Sequence, residues 1–322
     1  MNSIRPEIRL RHKDLLTLAD LEPSEILAVL EAGAICKAKH KEGVLFVPLL
    51  GKSIGMVFHK PSARTRISFE LGAFQLGGHA VLLKDEEIGI GTRESVEDVA
   101  RLFSRYFDGV VVRTFDQTLL QQLAENATIP VINALTDYEH PCQILADLMT
   151  VQELGKPLKG LKVAFIGDGN NVATAWAFAA GKLGFQLVVA SPKGFELHDA
   201  VVREAMEDGV KTGGKVTRIP DPTEAARGAD VVYTDVWTSM GQEAERAERL
   251  AAFARYQVGE ALMKHAKPDA VVMHCLPAHR GEEISAETFE RHQKVIFDEA
   301  ENRLHVQKGL MTLLMGRQLN IS

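Results

Sequence analysis

The stretch Lys162-Val163-Ala164-Phe165-Ile166-Gly167-Asp168-Gly169-Asn170-Asn171-Val172 reads as a strand, a glycine turn and the start of a helix. Its apolar run has no polar alternation, as expected of a strand covered on both faces of a parallel sheet. Similar short runs lie on either side: Ser53–Phe58, Ala80–Leu83, Gly109–Arg113, Gln186–Ala190, Asp230–Thr234, Ala270–His274 and Lys294–Phe297. Amphipathic helices separate them. In Glu94–Phe107, Val96, Val99, Ala100, Phe103 and Phe107 fall on one helical face. Repeated strand–helix units predict an α/β protein with mainly parallel sheets flanked by helices.

The run Gly155-Lys156-Pro157-Leu158-Lys159-Gly160 follows a helix, Cys142–Leu154, and precedes a new strand. It predicts two α/β domains, residues 1–150 and 151–322. A last helix is expected at Arg303–Gln318, with Val306, Leu310, Leu313 and Leu314 on one face. The 322 residues, 46% hydrophobic and 25% charged, are enough for two cores and unlike a disordered chain. A net charge of −6 argues against a general binder of nucleic acid or membrane surfaces. No apolar stretch reaches the ~18 residues of a membrane helix. The N-terminus has no apolar signal core, and Glu7, Asp14 and Asp20 oppose a transit peptide. Cys36, Cys142 and Cys275 form neither a disulfide framework nor a CxxC pair, so a cytoplasmic location is expected.

Five segments carry candidate chemistry. Ser62-Ala63-Arg64-Thr65-Arg66 joins a strand to a helix bearing Ile67, Leu71 and Phe74 on one face. Ser62 is a suitable N-cap, helix N-terminal amides attract anions, and arginine suits phosphate. His140-Pro141-Cys142-Gln143 opens another helix, where the positive helix end favours a neutral imidazole at His140. Gly167–Val172 starts like a dinucleotide fingerprint. Val172 replaces its third glycine, and the next strand ends in Ala190-Ser191-Pro192 without the expected acid. A nicotinamide-dependent dehydrogenase is therefore only a remote alternative.

Asp235-Val236-Trp237-Thr238-Ser239-Met240-Gly241 sets an acid at a strand end, suited to a ligand ammonium, ahead of a flap-like loop. His274-Cys275-Leu276-Pro277-Ala278-His279 lacks common zinc spacing, so no metal is expected.

Together these segments resemble the aspartate/ornithine transcarbamoylase family, and its ornithine branch in particular, over nearly the whole chain. Ser62-Ala63-Arg64-Thr65-Arg66 is similar to the family's Ser-Thr-Arg-Thr-Arg loop, and His140-Pro141-Cys142-Gln143 to its His-Pro-x-Gln. Asp235…Ser239-Met240-Gly241 and His274-Cys275-Leu276-Pro277 resemble the ornithine branch. The resemblance implies a carbamoyl phosphate-binding first domain, an ornithine-binding second domain, and a last helix that returns to the first. It implies transfer of a carbamoyl group to the side-chain amine of ornithine, giving citrulline and phosphate, with no cofactor.

By the same resemblance, Ser62, Ala63, Arg64, Thr65, Arg113, His140, Gln143, Cys275, Leu276 and Arg303 would bind carbamoyl phosphate. Asn171, Asp235, Ser239 and Met240 would bind ornithine, and Arg113, His140, Asp235 and Cys275 would carry the chemistry. Two departures stand out. Ala63 replaces the family's Thr, and Glu87 lies near a position where some members have a Gln donated by a neighbouring subunit. A homotrimer, or a multiple of trimers, with shared active sites is the implied assembly, and arginine biosynthesis or degradation the implied setting. The nearest alternative is a sister transcarbamoylase acting on N-acetylornithine, N-succinylornithine or putrescine. A non-catalytic metabolite-binding relative is a further one.

Overall fold

The computed structural model describes residues 10–316. They divide into two units, one built from the chain up to Met149 together with the segment from Asn302 onward, the other from Thr150–Glu301.

In the first unit the elements are α1 (Pro23–Lys41), β1 (Ser53–Phe58), α2 (Ala63–Gln75), β2 (His79–Lys84), α3 (Asp85–Ile88), α4 (Val96–Tyr106), β3 (Gly109–Arg113), α5 (Gln117–Asn126), β4 (Val131–Leu135) and the start of α6 (Pro141–Glu153). All strand pairs are parallel, in the order β2-β1-β3-β4. The strands with neighbours on both sides, β1 and β3, are nearly or wholly buried; β2, at one edge, is only half-buried. Val57, Val99, Phe103, Val110, Val112, Leu120 and Leu123 form a core on one face of this sheet. Each such side chain contributes roughly 1.5–3 kcal/mol by leaving water.

The second unit continues with β5 (Lys162–Ile166), α7 (Asn171–Leu183), β6 (Gln186–Ala190), α8 (Asp199–Thr212), β7 (Lys215–Ile219), α9 (Pro222–Ala226), β8 (Val231–Thr234), α10 (Arg246–Phe253), α11 (Glu260–Met263), β9 (Val271–His274) and α12 (Ala286–Met315). Its sheet is also parallel, in the order β7-β6-β5-β8-β9. Trp237, Phe253, Tyr256, Phe289 and Ile296 pack with β8 and β9 residues on one side of it.

Two expectations need correction at the C-terminal end. Lys294–Phe297 is not a strand but part of α12, which starts at Ala286 rather than near Arg303. An apolar run of three residues, Val295-Ile296-Phe297, has no period long enough to separate strand from helix. In the helix, Ile296 turns inward while Phe297 stays 55% exposed. Arg303 therefore sits within a 30-residue helix instead of at its start. Residues 317 and 318 of the expected last helix lie outside the described residues. The part of α12 beyond Asn302 belongs to the first unit. There a Cβ on Gly309 would lie 2.4 Å from Gly33 N, so the close approach of α12 to α1 requires glycine.

Candidate active site

Open α/β sheets bind ligands beyond the carboxyl ends of their strands, at the point where strand order reverses. In the first unit the chain moves outward from β1 to β2, then restarts on the other side with β3, so the reversal lies between β1 and β3. The loops leaving both strands are tied together. His59 N–H donates to Arg113 O at 2.9 Å, and Thr114 N–H to Leu135 O at 3.0 Å. A register shift between Val112 and Arg113 in the β3–β4 pairing breaks the regular ladder at the arginine, a device that re-aims a side chain. Lys60, itself buried, pairs with Asp137 and lies over the Phe115 ring, linking the loops that follow β1, β3 and β4.

Thr65 is the meeting point. Ser62 caps α2, its Oγ accepting from Thr65 N–H and donating to Thr65 Oγ1 at 3.1 Å. The same Thr65 Oγ1 accepts from Arg113 Nη1 at 3.5 Å and from Arg303 Nη2 at 3.2 Å. Arg303 Nη1 donates to Gln143 Oε1 at 2.6 Å, and Gln143 Nε2 to Asp147 Oδ1 at 2.8 Å. Thr65, Arg113, His140, Gln143 and Arg303 are all buried. Two guanidiniums directed at one hydroxyl beside a helix N-terminus make a strongly cationic place, suited to an anion such as phosphate. Burial pushes the His140 imidazole well below its usual pKa, and the charges of Arg303 and Arg113 add to the effect. His140 is thus neutral, and its buried Nδ1 has no hydrogen-bond partner among the described residues.

The second unit has a parallel arrangement. Its strand order reverses between β5 and β8. Asn170, in the loop after β5, donates from Nδ2 to Asp235 Oδ2 at 2.8 Å, directly across that reversal. Asn170 Oδ1 meanwhile caps α7 by accepting from Val172 and Ala173 N–H. Cys275 Sγ, just after β9, donates to Asp235 Oδ1 at 3.0 Å. Leu276 has φ 57°, and its N–H donates to His274 Nδ1 at 2.9 Å. That bond leaves the proton on His274 Nε2, which contacts Glu283 at 3.0 Å. The segment following β9 is therefore anchored by a fully buried histidine–glutamate pair.

The flap-like loop is fastened at its base. Arg249 reaches Asp168 at 2.7 Å and Trp237 O at 3.1 Å, with its guanidinium over Phe195. Ser239 is half-buried and Met240 is 47% exposed. Asp235, His274 and Cys275 bring possible metal ligand atoms within 4.8 Å of one another, as do His279, Glu282 and Glu283. In the first trio both His274 nitrogens are engaged, leaving two ligands where a structural zinc site uses four.

Residues 13–153 match the family description "Aspartate/ornithine carbamoyltransferase, carbamoyl-P binding domain", and residues 159–314 match "Aspartate/ornithine carbamoyltransferase, Asp/Orn binding domain". The chain belongs to the aspartate/ornithine carbamoyltransferase family. Ornithine carbamoyltransferase of Anoxybacillus flavithermus is 50% identical over 308 residues, covering 96% of this chain and 98% of the relative. That of Pyrococcus abyssi is 46% identical over 309 residues, covering 96% of this chain and 98% of its own. The solved ornithine carbamoyltransferase of Pyrococcus furiosus aligns with a TM-score of 0.92 at 45% identity, covering 97% of this chain and 99% of that one.

Of the carbamoyltransferase residues expected from sequence, Ser62, Thr65, Arg113, Gln143 and Arg303 form one connected hydrogen-bond cluster, with the charges of Arg113 and Arg303 acting on His140. Asp235 and Cys275 form another with Asn170. Arg64 and Ala63 are exposed on the first turn of α2, and among the described residues no hydrogen bond or ion pair engages Arg64. Asn171, half-buried, opens α7, but the asparagine on Asp235 is its neighbour Asn170. Glu87 is exposed in α3 and accepts from Lys84 N–H. Gln307 was not foreseen. It is fully buried, and in the amide orientation that satisfies its surroundings it accepts from Arg303 Nη2 and Nε at 3.2 Å. Its one-turn spacing from Arg303 was the available signal.

Proposed function

We propose that this chain transfers the carbamoyl group of carbamoyl phosphate to the side-chain amine of L-ornithine, giving L-citrulline and phosphate. The observation that carries the reading is the convergence of Arg113 and Arg303 on Thr65 Oγ1 at a helix N-terminus. It is supported by relatives near 50% identity that bear the name ornithine carbamoyltransferase. Residues 1–150, together with the last helix from Arg303 on, serve carbamoyl phosphate, and the rest of residues 151–322 serves ornithine.

Carbamoyl phosphate needs its phosphate held and its carbonyl polarised. Ser62, Thr65, Arg64, Arg113, Arg303 and the Ala63 amide hold the phosphate. Arg113, His140 and Thr65 donate toward the oxygen that gains charge as the tetrahedral intermediate forms. A neutral His140 does this without adding a third positive charge. Gln143 meets the carbamoyl group. Phosphate leaves with charge that the arginines have already compensated, and it takes up the amine's proton.

Ornithine must attack as a neutral amine. With an ordinary pKa near ~10.4, deprotonation at pH 7 costs about 4.6 kcal/mol. A cationic environment about the phosphate disfavours an ammonium there and offsets part of that cost. Asp235, Asn171, Ser239 and Met240 hold ornithine, Asp235 at its α-ammonium, and Cys275 orients the side-chain amine. The free α-ammonium distinguishes ornithine from its N-acyl derivatives. The protein works in the cytoplasm, in arginine metabolism, as a trimer or a multiple of trimers. The exposed apolar face of α2 supports the assembly: Ile67, Leu71 and Phe74 are 59%, 40% and 74% exposed. Among the described residues no helix is long and apolar enough to cross a membrane.

The test is citrulline formation from ornithine and carbamoyl phosphate, with N-acetylornithine, N-succinylornithine and putrescine as rival amines. Arg113→Ala is expected to lower kcat by about 10²–10³, the usual effect of removing one such donor. Absence of citrulline with the unaltered protein refutes the reading.

A further inference from the structure

Asp147 lies one helical turn beyond Gln143 on α6 and is completely buried. At that spacing the two side chains share a face. Asp147 Oδ1 accepts from Gln143 Nε2 at 2.8 Å, while Gln143 Oε1 accepts from Arg303 Nη1 at 2.6 Å. A carboxylate only accepts and a guanidinium only donates. The Gln143 amide is therefore held in one sense from both ends. Turning it over would set its NH2 against a guanidinium and its oxygen against a carboxylate. In a buried setting both clashes are costly.

We propose that Asp147 is a positioning residue that fixes the oxygen of Gln143 as the group presented to the donor substrate, making the protein select an acyl phosphate with an amide NH2 over one with a methyl. The proposal rests on the carbamoyl-transfer reading above. Carbamoyl phosphate and acetyl phosphate have nearly the same shape and charge, and their phosphates meet the same cations. They differ where one has NH2 and the other CH3. An acceptor oxygen rewards the NH2 and gains nothing from the methyl, whereas a reversed amide would oppose its own N–H to the substrate's. Arg303 also orients Gln143, but it is assigned to the phosphate as well. Asp147 acts through Gln143, so its effect is confined to the acyl end of the donor.

The experiment compares the full-length protein with Asp147→Asn and Asp147→Ser. Three quantities are measured: KM for carbamoyl phosphate, and competitive inhibition constants for acetyl phosphate and for inorganic phosphate. KM is expected to rise about tenfold, the scale of one lost buried hydrogen bond. Both inhibition constants are expected to stay within about twofold, as for independent contacts. Gln143→Met, with Asp147 intact, should show the same selective loss. A general loosening of the pocket would shift all three quantities together and overturn the proposal, as would an unchanged KM. Asp147→Ser carries the same readouts should Asp147→Asn not fold, and failure of both to fold makes the residue structural and overturns the positioning role. A wild-type protein that makes no citrulline overturns the transfer reading, and this proposal with it. An active wild type with unselective variants overturns this proposal alone.

Discussion

A single imidazole illustrates how far residue chemistry can be read ahead of the fold. Sequence alone placed His140 before Pro141 at a helix start and gave it a neutral ring because of the helix dipole. In the structure burial is the larger cause, followed by the charges of Arg303 and Arg113, which lie distant in sequence. The direction was legible and its main cause was not. An unfolded histidine titrates near ~6.5, whereas His140 in the folded protein binds its proton only at much lower pH. Below pH ~6.5 the unfolded chain thus holds one more proton at this position, and stability falls as the pH falls. One such proton gives a slope of at most about 1.4 kcal/mol per pH unit. His140→Gln is expected to flatten the decline in urea-unfolding free energy between pH 6.5 and 5 by up to that amount. An identical decline in both proteins would mean that His140 ionises normally when folded. The asparagines show a different limit. Only the crossing from β5 to β8 reveals that Asn170 both caps α7 and reaches Asp235.

Strands were legible where the sequence itself runs apolar without a polar interruption. β1, β3, β5 and β6 match the runs read from sequence because they are interior parallel strands rich in Val and Ile. β4 and β7 went unread. β4 has Asn133 at its centre, tolerated because Nδ2 donates to Leu16 O at 2.8 Å, and β7 is an edge strand with Lys215, Thr217 and Arg218. Helix α2 was read correctly as a helix, but the face carrying Ile67, Leu71 and Phe74 is the outward one. Its inward face is Thr65, Ser68, Phe69, Gly72 and Ala73, where Phe69 is the one large apolar side chain among small or polar ones and leaves no comparable stripe. An exposed apolar stripe of this kind marks an interaction surface. With a second copy of the chain as occupant, Phe74→Glu is expected to convert an assembly of about three 35.4 kDa chains into smaller species in sedimentation experiments. A wild-type protein that sediments as a single chain at micromolar concentration would end the trimer proposal.

At the scale of the whole molecule, two separate parallel sheets use one design. Each reverses its strand order once, and each sets polar side chains at that reversal: Thr65 with Arg113 in the first unit, Asn170 with Asp235 in the second. The long helix α12 supplies Glu299 to the second unit, where it accepts from His274 N–H and Tyr233 Oη–H, and Arg303 to the first. The chemistry assigned to the first unit needs cations that do not change charge near neutral pH, and Arg113 and Arg303 meet that need, since free arginine titrates above ~12. With His140 also neutral there, neither the imidazole nor the two guanidiniums changes charge as the pH rises from 7 to 9. The substrate amine does titrate toward that range, being about 3.4 pH units from half-neutral at pH 7 when free. Hence kcat/KM for ornithine is expected to rise with pH between about 7 and 9, by up to tenfold per unit, while kcat/KM for carbamoyl phosphate at saturating ornithine changes much less. The measurement is initial-rate citrulline formation at subsaturating ornithine, with solvent viscosity varied to establish that chemistry limits the rate. A flat ornithine profile under those conditions would mean that the amine does not enter as ammonium and lose its proton on the way to attack.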